Sequence, residues 1–163
     1  MLGRDYAGQT CSIARTLEVI GERWTMLIVR DVFVGLRRFD DIQADLGVAR
    51  NVLASRLGRL VESGVLEKVP YQERPTRHEY RLTDKGRDLW PVMVELVQWG
   101  DRHAPAPAGP PAVYRHRGCG GTLGSGRRCE ACGAVLERTE VTVEAGPGAA
   151  ADHPIRRRLA PAG

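Results

Sequence analysis

From Phe39 to Leu66 the chain reads FDDIQADLGVARNVLASRLGRLVESGVL, and its apolar positions fall into two stripes of helical period around a glycine. Phe39, Ile42 and Leu46 recur at spacings of three and four, Gly47 breaks the run, and Leu53, Leu57, Leu60 and Val61 line one face of a second helix. The pattern predicts two short helices joined by a tight turn, a helix-turn-helix. With that stripe buried, the second helix presents Asn51, Ser55, Arg59 and Glu62 on its other side, with Ala54 on the flank and Arg50 near its start. Residues at the N-terminal end of such a helix reach base edges in the DNA major groove. Arg50, Asn51 and Ser55 are the candidates for base contact. The competing reading is an amphipathic helix whose polar face is merely solvated.

The flanking pattern extends the prediction. Thr10 or Ser12 can cap a helix whose apolar positions Ile13, Leu17 and Ile20 precede Gly21, and a second helix runs from about Glu22 to Val34 with Trp24, Leu27, Ile28 and Val32 on one side. After the helix-turn-helix come two β-type segments, VLEKVPY and HEYRLT, separated by QERPTR. A hairpin directly after a recognition helix is a wing. Arg74 and Arg77 would form its tip and hold phosphates or enter a narrow minor groove, with Pro75 stiffening the loop.

Thr83 then caps DKGRDLWPVMVELVQWGDRHA, a longer helix with Leu89, Val92, Met93, Leu96 and Val97 as its apolar band. Pro91 predicts a kink, or a regular helix that begins near it. Trp90 and Trp99 widen the band beyond what one small core needs. A homodimer through this helix is therefore expected, with help from the N-terminal segment, as in two-fold DNA readers that bind paired half-sites.

Composition changes the picture modestly. Net charge is +4, yet only Lys68 and Lys85 are lysine, and the arginine bias matches GC-rich coding, so position matters more than total. Residues 1–47 carry six arginines against seven acids, residues 48–81 seven basic residues against four acids, and residues 82–104 three against four. Positive charge concentrates on the helix-turn-helix and wing, where double-stranded DNA would lie. No apolar run approaches the ~18 residues of a membrane span, and MLGRDYAGQT lacks a signal peptide's apolar segment, so a cytoplasmic protein is expected. No G-x-G-x-x-G and no nucleophile motif occurs, so an enzyme is not expected.

Over about Cys11 to His103 the chain resembles the HxlR-type winged-helix transcriptional regulators. The resemblance rests on the cysteine before the first helix, IGERW, GLRRFDDI, the RLxxLxxxGVL exit of the recognition helix, the ERPTRHEYRLT wing and the LTxxG helix start. It implies a dimeric DNA-binding repressor or activator, with Arg38, Arg50, Asn51, Ser55, Arg59, Arg74 and Arg77 at the DNA and a possible small-molecule effector. Some family members sense quinones, aldehydes or oxidants through the equivalent thiol, which marks Cys11 as a possible redox sensor; here Ser12 follows it where the family commonly has proline. Independently of the family, a thiol at a helix start gains reactivity from the helix dipole and free N–H groups.

Ala104–Ala112, APAPAGPPA, reads as a linker. Beyond it His116, Cys119, Cys129 and Cys132 form H-x2-C, nine residues, C-x2-C, with glycines suited to zinc knuckles. One imidazole and three thiolates satisfy tetrahedral zinc, and the closed ligand set predicts a structural site that supplies folding energy to a segment poor in apolar residues. The alternatives are free thiols in a decayed ribbon, or a Cys129–Cys132 redox pair, although no βαβ pattern surrounds it. His153 is expected to be unligated, and the Arg156–Arg158 cluster to lie in a disordered tail.

The expected fold is therefore mainly α with a small β-wing, a winged helix-turn-helix plus a short zinc-ribbon-like tail. The expected bounds are 1–103 for the DNA-binding and dimerisation domain, 104–112 for the linker, 113–145 for the ribbon-like segment and 146–163 for the tail. The competing functions are a zinc-dependent protein-interaction adaptor on a winged-helix scaffold and a thiol-based redox-sensing regulator acting through Cys11.

Overall fold

The structure, a computed structural model, describes residues 6, 8 and 10–149. His153, Arg156–Arg158 and most of the N-terminal decapeptide lie outside the described residues. The chain divides after Arg87 into two compact units.

In the first unit, helices α1 (Ser12–Ile20), α2 (Thr25–Phe33), α3 (Phe39–Leu46) and α4 (Arg50–Glu62) precede an antiparallel hairpin of β1 (Leu66–Glu73) and β2 (Thr76–Leu82), closed by the short α5 (Asp84–Arg87). The stripe read from the sequence is the core: Ile42, Leu53, Leu57 and Leu60 are sealed from solvent together with Ile28 and Val29 of α2. Gly47 ends α3 at φ 60°, the left-handed conformation that lets the chain turn sharply into α4. The hairpin runs in register from Leu66↔Leu82 to Glu73↔Thr76, with an irregularity between Pro70 and Gln72. Its strands are longer than the sequence suggested, because the segment assigned to the loop pairs up to Glu73↔Thr76 and leaves only Arg74 and Pro75 in the turn.

The readings of the first two helices need correction. Neither Thr10 nor Ser12 caps α1; the cap position is Cys11, with no side-chain cap bond. Of the apolar positions of α1, Ile20 is buried, with Ala14, whereas Ile13 and Leu17 face solvent. Helix α2 begins only at Thr25, since Glu22–Trp24 form a turn. On it Leu27 is exposed, whereas Asp31, a residue that apolar periodicity passes over, is buried.

The second unit contains α6 (Trp90–His103), then an antiparallel pair of β3 (Ala112–His116) and β4 (Val141–Ala145) registered from Ala112↔Ala145 to His116↔Val141. The helical stretch after Thr83 is interrupted at Asp88–Leu89, and its regular part begins at Trp90, one of the two outcomes read from Pro91, which sits in the first turn of α6 where a missing N–H costs nothing. Its buried side carries Trp90, Met93 and Val94; Val92, Leu96 and Trp99 face solvent on the other side. The apolar band is thus split between two faces.

Helix α6 packs with the C-terminal segment. Gln98 Nε2 donates to the Leu123 carbonyl at 2.9 Å, Arg102 Nη2 to Ser125 Oγ at 2.9 Å, and the Gly126 N–H to Glu95 Oε1 at 3.1 Å. The linker is not free either, because Gly146 and Gly148 donate to the carbonyls of Pro111 and Pro110 at 3.0 and 3.1 Å. Residues 146–149, expected in the disordered tail, form that turn and bury Ala149. No helix among the described residues is long and apolar enough to cross a membrane.

Candidate nucleic-acid interface and metal centre

Helix α4 presents its polar side as the sequence suggested. Asn51, Ala54, Ser55, Arg59 and Glu62 are all exposed, and Asn51 sits in the first turn. Burial of Leu53, Leu57 and Leu60 at helical spacing forces this orientation. Helix placement is reinforced from outside: Glu22 Oε2 lies 2.9 Å from Arg56 Nη2 and Glu22 Oε1 lies 3.7 Å from Arg59 Nη1. The acidic residue of IGERW therefore ties α4 to the turn before α2. Sequence reading missed Arg56 because it sits between the buried stripe and the polar face.

The wing is locked to the segment before α3. Tyr80 donates its backbone N–H to the Arg37 carbonyl at 2.7 Å, and Arg38 forms an antiparallel bridge with Glu79. This places the Arg38 guanidinium 4.7 Å from the centre of the Tyr71 ring on β1. A groove of about 390 Å³ opens between helix-turn-helix and wing, lined by Arg38, Phe39, Asp40, Asp41, Arg50, Tyr71, Arg77 and His78. Three of the arginines assigned to DNA meet there. Arg74 stands at the hairpin turn, which Thr76 Oγ1 braces by donating to the Glu73 carbonyl at 3.1 Å.

Two carboxylates in that groove were not foreseen. Arg50 stacks 4.6 Å from the Phe39 ring centre and lies 3.4 Å from Asp40 Oδ1. The charge assigned to base contact is therefore engaged within the protein. Deeper in the unit, Arg30 Nη2 bridges Asp31 Oδ1 at 2.6 Å and Asp45 Oδ2 at 2.5 Å, joining α2 to α3. Burial, only partly opposed by Arg30 and assisted by Asp45, pushes the Asp31 carboxyl up to about 7.

Cys11 is exposed, and backbone N–H groups of Ala14 and Ile13 hold its thiol below the ordinary value.

In the second unit the four residues singled out by spacing converge: the ligand atoms of His116, Cys119, Cys129 and Cys132 all lie within 4.8 Å of one another. His116 Nδ1 is 3.2 Å from Cys119 Sγ and 3.3 Å from Cys132 Sγ, and Cys119 Sγ is 3.4 Å from Cys129 Sγ. Tetrahedral zinc with N/S ligands separates its donor atoms by roughly 3.5–3.8 Å; these three pairs lie within a few tenths of an ångström of that range and all pairs within 4.8 Å, so the donor set suits a zinc ion after a modest rearrangement.

The backbone repeats one motif at both ends of the cluster. His116 N–H donates to Gly121 O and Gly120 N–H to His116 O, each at 2.8 Å; Cys129 N–H donates to Ala134 O and Gly133 N–H to Cys129 O, again at 2.8 Å. Both are knuckle-like turns that bring together two residues able to hold a metal and aim N–H groups at sulfur. Accordingly the N–H groups of Cys132 and Ala131, with the neighbouring thiols, lower the Cys129 thiol to about 6. At Cys119 the Gly121 N–H pulls down, but the facing thiols and burial leave the thiol raised. Gly121 is required by close approach, since a Cβ there would lie 2.6 Å from Cys129 Sγ.

Comparison with known proteins reaches into both units, since the aligned 137 residues exceed the 87 of the first. Residues 19–107 match the family model described as HxlR-like helix-turn-helix. The chain is 49% identical over 137 residues to the uncharacterized HTH-type transcriptional regulator Rv3095 of Mycobacterium tuberculosis, covering 84% of this chain and 87% of that protein. Among solved structures, PA1607 superposes with a TM-score of 0.57 at 42% identity, covering 88% of this chain and 92% of that one. The oxidized form of the redox regulator HypR superposes with a TM-score of 0.54 at 27% identity, covering 57% of this chain and 97% of that one.

Proposed function

The chain belongs to the HxlR-like helix-turn-helix family of DNA-binding transcriptional regulators, and we propose that it acts as a homodimer in which α4 enters the major groove. Asn51, Arg50 and Ser55 read base edges there, while Arg38, Arg59, Arg74 and Arg77 hold the phosphate backbone. The observation that carries this reading is the exposed polar side of α4 beside the arginine-lined groove of the wing. The dimer forms through the exposed stripe Val92, Leu96 and Trp99 of α6, with Ile13 and Leu17 of α1 as further apolar surface. His116, Cys119, Cys129 and Cys132 hold one structural zinc.

The test is fluorescence anisotropy against DNA from immediately upstream of the gene, with unrelated DNA as competitor. Saturable binding that resists competitor is expected, and Asn51→Ala should reduce sequence discrimination by ~1–3 kcal/mol. Wild-type discrimination in that variant removes Asn51 from base reading. Binding no tighter than to competitor favours the protein-interaction adaptor.

A second reading rests on the lowered, exposed thiol of Cys11. In it, oxidation of Cys11 alters DNA affinity, as the name of HypR suggests for that relative. Diamide treatment should then change the anisotropy of the wild type and leave Cys11→Ser unchanged; equal responses would end this reading.

A further inference from the structure

We infer that the His/Cys centre is the platform that holds α6, so that zinc loading governs the homodimer and, through it, DNA binding. The inference rests on the zinc site and dimer helix proposed above and assigns them a common regulation.

The contacts of α6 run to the segments that carry the ligands. The Trp90 ring lies 6.1 Å from the ring of Tyr114, two residues before His116. Gln98 bonds the carbonyl of Leu123, whose own N–H donates to Tyr114 O at 2.9 Å and which bridges to Cys129. Arg102 and Glu95 bond Ser125 and Gly126, on the turn that leads into Cys129. Trp90, Val94, Gln98 and Arg102 stand at intervals of four and define one side of the helix. Val92, Leu96 and Trp99 lie on the opposite side and are exposed.

The platform has little besides the metal to fold it. Beyond α6 its buried hydrophobic side chains among the described residues are Leu123, Cys129, Leu136, Val141, Val143 and Ala149, and two of the loops between them end in the knuckles. Small modules of this kind are ordered by their metal. Without it, the carbonyl of Leu123 and the turn at Ser125 lose their fixed positions, and α6 loses the anchors that present its free side to a second copy. Linkage makes the effect reciprocal: a ligand that favours the dimer-competent form is itself held more tightly by the dimer.

The experiment uses the full chain. Zinc content, mass by light scattering, hydrogen exchange and DNA affinity are measured as purified, after chelation and after zinc is restored. One zinc per protomer and a dimer are expected at the start. Chelation should yield protomer mass, loss of protection in α6 with α4 still protected, and DNA binding weakened about tenfold or more, all reversed by zinc. Gln98→Ala with Arg102→Ala leaves the ligands intact; it should keep its zinc and weaken the dimer about three- to tenfold. A chelated protein that remains dimeric overturns the inference while the zinc site stands. Failure to bind zinc overturns both. Loss of protection in α4 together with α6 also overturns the inference, since it marks general unfolding, and so does a protein that is monomeric in every state.

Discussion

Arg50 Nη1 lies 3.4 Å from Asp40 Oδ1, so the first basic residue of the recognition helix is met by a carboxylate from the preceding helix. Both side chains are largely exposed, at 72% and 80%, and such a pair contributes little to stability. With DNA in the proposed position, Asp40 adds a negative charge beside Arg50 that repels the polyanion as a whole. Asp40→Asn should tighten binding to DNA of any sequence by about three- to tenfold at low salt, with stability changed by less than ~0.5 kcal/mol. Anisotropy at several salt concentrations checks it, and unchanged affinity would separate the groove from the DNA.

Arg77 lines the same groove from the wing and has no ion-pair partner among the described residues. Arg77→Ala should weaken binding to all sequences alike and reduce the slope of log affinity against log salt by about one unit. A slope equal to that of the wild type would take the wing off the backbone.

The buried Asp31 carboxyl predicts a pH dependence of stability. Its value is pushed up from 3.8 to about 7, mainly by burial. Between those values the folded chain keeps a proton that the unfolded chain releases, so this group's stabilisation is full at low pH and is lost as pH rises through about 7. Asp31→Asn removes the titration. The difference in Tm between variant and wild type should therefore shift by roughly 2–5 °C in favour of the variant from pH 5 to pH 8. A constant difference would show that Asp31 is ionised in the folded protein throughout.

Gly121 leaves room for the Cys129 sulfur, and its replacement tests the metal centre without touching a ligand. In Gly121→Ala the new Cβ would lie 2.6 Å from both Cys129 Sγ and the Ala131 Cβ, so the two knuckles must separate. Zinc affinity should fall by about 10- to 100-fold, as for other disturbances of the shell around metal ligands. Competition with a chromophoric chelator measures it; undiminished affinity would place the ion elsewhere.

What the sequence determined by itself was set by local period and short spacing. Leu53, Leu57 and Leu60 must share one face of a helix, and that alone turns Asn51 and Ser55 outward. The H-x2-C and C-x2-C pairs likewise bring His116, Cys119, Cys129 and Cys132 to one cluster, because a knuckle-like turn needs only a few residues of backbone. Charge pairing followed a different rule. Glu22 with Arg56, Asp40 with Arg50, and Arg30 between Asp31 and Asp45 are contacts between elements. Such pairs depend on how helices cross, which periodicity within one helix does not encode. The same limit applies to α6. Its sequence shows a wide apolar band, but only packing against the C-terminal segment decided that Trp90, Met93 and Val94 are buried and that Val92, Leu96 and Trp99 remain free for another surface.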